Sequence, residues 1–133
     1  MKTLILLFLI LFPPQENIKI KDAWIRPAPE KMTSALYFTI ENTGESADTL
    51  YKVDSDIAER VEIHETYTEG EMMGMREVDF IVIPGKSSFE LKPGAHHVML
   101  MKLKKNIKVG DEENFTLYFK GVGEIKITAK AKK

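Results

Sequence analysis

Three histidines, His64, His96 and His97, and most of the methionines that follow the initiator lie in two short segments, residues 61–76 and 94–103. Met72, Met73 and Met75 belong to the first and Met99 and Met101 to the second, while Met32 stands apart. A lone histidine is usually a hydrogen-bonded surface residue and a lone methionine is usually core filler. Clustering of both types, with a His-x-Met step in the second segment, instead suggests a soft metal site. Thioether sulfur is soft, neutral and untouched by protonation, which suits Cu(I) and serves zinc, magnesium and calcium poorly. Two imidazoles and two thioethers around Cu(I) leave a single positive charge. No counter-carboxylate is then required, so Glu62, Glu65, Glu69 and Glu71 are expected to form a solvated acidic surround. The chain has no cysteine, which excludes blue-copper electron transfer, zinc-thiolate sites and dithiol chemistry. Without cysteine, neither a lipid anchor nor a disulfide is expected.

Alternation along a strand indicates how such residues would be presented. With Val61 and Ile63 facing a core, His64 shares the opposite face with Glu62 and Thr66. With Val98 and Leu100 facing the core, His97, Met99 and Met101 share the other face, and His97 and Met99 stand side by side at the outer face or rim. Side chains two apart on a strand are rooted about 6.5–7 Å apart, within reach of one ion for an imidazole and a long thioether. Met75 is expected in a loop beyond the Glu69-Gly70 turn that folds over the same spot. The pattern alone also allows Met99 and Met101 to form a second packed layer. His96, pointing opposite to His97 beside the Pro93-Gly94 turn, reads as structural or exposed, and Trp24 reads as core.

The elements that position these residues are strands. Period-2 alternation with β-branched and aromatic residues recurs at 18–25, 35–41, 49–53, 61–67, 77–83, 88–91, 97–103, 115–120 and 124–131. Turn chemistry separates them at Asn42-Thr43-Gly44, Glu69-Gly70, Pro84-Gly85, Pro93-Gly94 and Gly110-Asp111. At most one helical turn is expected, around residues 56–60. Seven to nine short strands predict a single all-β domain, a sandwich or barrel with Greek-key connections. The Gly121-Val122-Gly123 stretch has no following helix and is a turn rather than a phosphate loop.

Residues 1–15 carry a different message. Lys2 precedes an unbroken apolar run from Leu4 to Phe12, which as a helix spans about 14 Å at ~1.5 Å per residue. That is short of a ~30 Å hydrocarbon core, so the run reads as a signal peptide of an exported protein rather than a membrane span. Residues 16–133 form the predicted domain. A hydrophobic content of 44% with 29% charged residues fits a globular chain. The net charge of −1 and the lack of a basic stripe argue against nucleic-acid binding. No Ser/His/Asp or Cys/His arrangement suggests an enzyme, and no acid/base arrangement is apparent around the histidines.

The spacing His64-x10-Met75-x21-His97-x-Met99 resembles the signature of the periplasmic copper chaperones written PCu(A)C. The blocks at 35–42, 58–65, 70–76, 83–85, 91–94 and 97–101 are similar to that family as well, so the likeness spans nearly all of 16–133. It implies a cupredoxin-like Greek-key β-sandwich that holds Cu(I) with His64, Met75, His97 and Met99. It further implies delivery of copper to the copper-binding domain of cytochrome c oxidase, or to another thiol-bearing acceptor, in the periplasm. Glu65 stands where some members have a methionine, and the C-terminal stretch lacks the His- or Met-rich tail of others, so no second copper site is expected. Copper storage by sequestration and a metal-free interaction module are the competing readings.

Overall fold

The computed structural model describes residues 17–133, so the expected signal peptide at 1–15 lies outside the described residues. Ten strands follow one another: β1 (Ile18–Ile25), β2 (Ser34–Asn42), β3 (Asp48–Asp54), β4 (Ala58–Glu69), β5 (Met72–Glu77), β6 (Ile81–Ile83), β7 (Ser87–Glu90), β8 (His96–Leu103), β9 (Glu112–Phe119) and β10 (Gly123–Ala131). No helix occurs among the described residues; the expected turn of helix near 56–60 is a tight turn that leads directly into β4. No described helix is long and apolar enough to cross a membrane. The expected strand at 77–83 is instead two, β5 ending at Glu77 and β6 beginning at Ile81. Val78-Asp79-Phe80 interrupts the alternation, and the chain there leaves one sheet edge for the other.

The hydrogen-bonded order is β5-β4-β8-β2-β1-β10-β9-β3-β6, with β7 on β2. All pairings are antiparallel except β1 with β10. Sequence-distant neighbours such as β4–β8 and β3–β9 are the crossovers of a Greek-key, cupredoxin-like arrangement. The inward residues of the strands, among them Ile25, Leu36, Ile40, Leu50, Ile63, Val98, Leu100, Leu117 and Ala129, form one contiguous core. Burial of these apolar side chains is the main stabilising contribution, at about 25 cal/mol per Å².

One feature of β2 matters for the site. Its first residues, Ser34–Leu36, pair with β8, whereas Thr39–Asn42 pair with β7. The turn between β7 and β8 fills the gap where these partners diverge, with the Leu91 amide donating to the Phe38 carbonyl at 2.8 Å. Gly94 in that turn has φ +83°, a conformation that costs glycine little and other residues more. The reversal there brings the Ala95 carbonyl to the start of β8.

Candidate metal centre

His64 and His97 are directly opposed in the β4–β8 ladder, and Met99 is opposed to Glu62. Met75 is opposed to Thr66 in the β4–β5 ladder. Opposed residues share a sheet face, as do residues two apart on one strand. His64, Met75, His97 and Met99 therefore project from one face of three adjacent strands, β5, β4 and β8. The opposite face of β8 is core, with Val98 and Leu100 fully buried, as alternation predicts.

Three residues sit differently from the sequence expectation. Met75 is not in a loop: the hairpin continues past the Glu69-Gly70 turn into β5, because Gly70 adopts the left-handed conformation (φ +64°) that closes a tight reversal. Gly74 lies against the Tyr67 ring, where a Cβ would come within 2.8 Å of the hydroxyl oxygen, and Arg76 stacks on the same ring at 4.5 Å. His97 shares the outer face with Met99, as expected, but is buried there rather than set at a rim. It is only 4% exposed, whereas Met75 is 59% exposed: β8 lies between β4 and β2 in the sheet, and side chains of β2 stand beside the His97 ring. Tyr37 of β2 stands 6.4 Å from the His97 ring, centroid to centroid. Trp24 is likewise not core: it is half-buried and stacks on Tyr37 at 4.6 Å on this outer side.

An open cleft of about 260 Å³ is lined by Met75, His97 and Met99 together with Arg26, Tyr37 and Thr66, among others. The two imidazole rings lie 5.9 Å apart, centroid to centroid. Nδ1 of His97 is 3.2 Å from the Ala95 carbonyl oxygen, which can only accept, so Nδ1 carries the proton of the neutral ring. Nε2 of His64 is 2.9 Å from Oε1 of Glu62. The remaining nitrogens, Nδ1 of His64 and Nε2 of His97, are both buried without a hydrogen-bond partner. Buried nitrogens of this kind are costly to leave unpaired, and here they belong to adjacent rings. Burial pushes the His97 pKa below the usual imidazole range, against the favourable Ala95 contact, with His64 and Arg26 adding repulsion. The ring is neutral at neutral pH and offers a lone pair.

The donor set fits a soft ion. Among the described residues, no group of three His, Cys, Asp or Glu side chains converges to hold a metal, and the side chains that share a face with the two imidazoles include the thioethers of Met75 and Met99. Glu62 and Glu65 are not simply solvated. Glu62 joins His64 to Arg60, and Glu65 meets Arg76 at 2.9 Å. The hydrogen bond from His64, followed by Arg60, holds the Glu62 carboxyl below its ordinary range despite desolvation. The Glu62–His64 contact differs from the solvated acidic surround expected from the sequence; its signal is the two-residue spacing on one strand face. His96 points away from the cleft, edge-on to Phe89 at 5.0 Å and 3.6 Å from Glu65.

Known proteins share this framework. The LpqE-like family model matches residues 18–131. RP573 of Rickettsia prowazekii (strain Madrid E) is 32% identical over 114 residues, covering 82% of this chain and 63% of that protein. The chain thus spans less than two thirds of the length of the curated relatives it matches. The copper-bound PCuAC domain from PmoF2 superimposes with a TM-score of 0.74 at 29% identity, covering 88% of this chain and 93% of that one. The Cu(I) form of DR1885 from Deinococcus radiodurans gives a TM-score of 0.69 at 29% identity, covering 86% and 76% respectively. With nearly every described residue accounted for, the chain belongs to the LpqE-like family, and its fold is that of the PCuAC domains.

Proposed function

We propose that this protein is an exported Cu(I) metallochaperone that binds one ion through His64, Met75, His97 and Met99 and hands it to a thiolate-bearing acceptor. The carrying observation is the pair of buried, unpartnered imidazole nitrogens on opposed residues of β4 and β8, with two thioethers on the same face. The copper-bound PmoF2 domain supports copper as the cargo, and the Cu(I) form of DR1885 supports Cu(I) as its state. The cytochrome c oxidase copper domain is the acceptor that the family resemblance implies, and the periplasm is the compartment in which both would meet.

The gradient of exposure supports transfer rather than storage. Met75 sits on β5, which has a hydrogen-bonded neighbour on one side only among the described residues. Its thioether is the accessible ligand, half-buried Met99 is next, and His97 anchors the ion from below. An incoming thiolate displaces Met75 first, and because a thiolate binds Cu(I) more strongly than a thioether, transfer runs downhill. The test is to mix Cu(I)-loaded protein with an apo dithiolate acceptor and follow both by NMR. The expected result is transfer at a rate that rises with acceptor concentration. If no copper moves, sequestration replaces delivery.

A further inference from the structure

We propose that Glu62 is a positioning residue that selects which nitrogen of His64 binds the ion, an inference that rests on the Cu(I) reading of the site. A neutral imidazole can carry its proton on either nitrogen, and only the other one can ligate. An ionised carboxylate accepts and cannot donate. The 2.9 Å contact between Glu62 Oε1 and His64 Nε2 therefore places the proton on Nε2 and the lone pair on Nδ1. Nδ1 is the nitrogen of His64 that is buried without a partner.

Glu62 is itself held. Its other oxygen, Oε2, accepts from Arg60 at 3.2 Å (Nε) and lies 3.0 Å from the Arg60 Nη2. Arg60, Glu62 and His64 alternate along one face of β4, so the chain of contacts runs along the strand and into the site. The Glu62 side chain is 19% exposed and that of His64 12%, which shields the contact from competing water. With both oxygens engaged, the carboxylate does not swing toward Met99, its cross-strand partner, to act as a hard ligand. The Ala95 carbonyl does the same work for His97 from the backbone. The site thus uses Nδ1 of one histidine and Nε2 of the other, each chosen by the acceptor on its far side.

The test compares wild type with Glu62→Leu and Glu62→Gln. Long-range 1H–15N correlations of the apo proteins read the His64 tautomer, and competition with a chromophoric Cu(I) chelator reads Kd. In wild type, His64 carries its proton on Nε2. In Glu62→Leu the Nδ1–H form should appear and Kd should weaken about 10–100-fold, the usual range for loss of such a partner, while the His97 pattern is unchanged. Glu62→Gln, nearly isosteric, should show a mixture of tautomers with a smaller loss, and it decides the matter if the leucine variant does not fold. A His64 tautomer unchanged in both variants, with Kd within twofold of wild type, overturns the proposal. If wild type binds no Cu(I), the function proposed above fails, and the tautomer pattern alone still decides the role of Glu62.

Discussion

His64 and His97 face each other across β4 and β8 with ring centroids 5.9 Å apart, and each holds one nitrogen buried and unpartnered. The register of the two strands creates this relationship. A slip of one residue would turn either histidine into the apolar core and bring Ile63 or Val98 to the outer face. The same register stations Met99 beside Glu62 and, through Thr66, sets Met75 on the adjoining strand.

Neighbouring residues on β8 should separate by role. Leu100→Ala removes a fully buried side chain and should cost about 2–5 kcal/mol of apo stability. Met99→Ala, at a half-buried position lining the cleft, should cost about 1 kcal/mol yet sharply weaken Cu(I) binding. Thermal unfolding of the apo variants beside Cu(I) competition assays tests this, and a core-sized stability loss for Met99→Ala would favour a packed layer.

The methionines of β5 divide by parity. Met75 shares the face of the histidines, whereas Met72, three residues earlier, points to the other side. Met75→Leu keeps the bulk and loses the sulfur, and should weaken Cu(I) binding and slow transfer. Met72→Leu should leave both unchanged. Equal losses in the two variants would show that the hairpin tip, rather than this face, contributes the thioether.

Metal choice follows from the donors. The protein should bind one Cu(I) and discriminate strongly against Zn(II), since the described residues offer no cluster of three harder ligands. Titration of both metals under reducing conditions checks this; comparable Zn(II) affinity would require a carboxylate in the site.

Acid should act on affinity and on stability. Each imidazole must be unprotonated to ligate, so Cu(I) affinity should decline as pH falls through the histidine range, with partial retention through the thioethers. For the apo protein, His97 has a folded pKa below its unfolded value of 6.5, so the unfolded chain takes up this proton first. Stability from this source is constant well above pH 6.5 and declines as pH falls from there toward the folded value. Glu62, whose folded pKa is depressed below 4.5, contributes stability present above 4.5 and lost as pH falls through its folded pKa. Urea midpoints of the apo protein between pH 7.5 and 5 should therefore fall, and His97→Gln should flatten that segment. A wild-type midpoint independent of pH in this range would contradict the burial of a neutral His97.

The sequence by itself determined the all-β class, the strand-by-strand alternation and the two faces of β8. Those follow from local chemistry: β-branched residues, period-2 patterning and glycine turns act over a few residues. It also singled out the cluster of imidazoles and thioethers, because ligand type is a property of the side chain alone. The tertiary structure decided what depends on partners distant in the chain. Burial of His97 comes from β2, about sixty residues earlier, which the spacing of the histidines cannot reveal. Met75 shares the face of the histidines as a strand residue because the β4–β5 ladder continues beyond its turn, and Trp24 stays outside the core because the β1 register shifts between Lys21 and Trp24. The choice of ligating nitrogen lies furthest from sequence, since it depends on Glu62 and the Ala95 carbonyl approaching the far sides of the two rings.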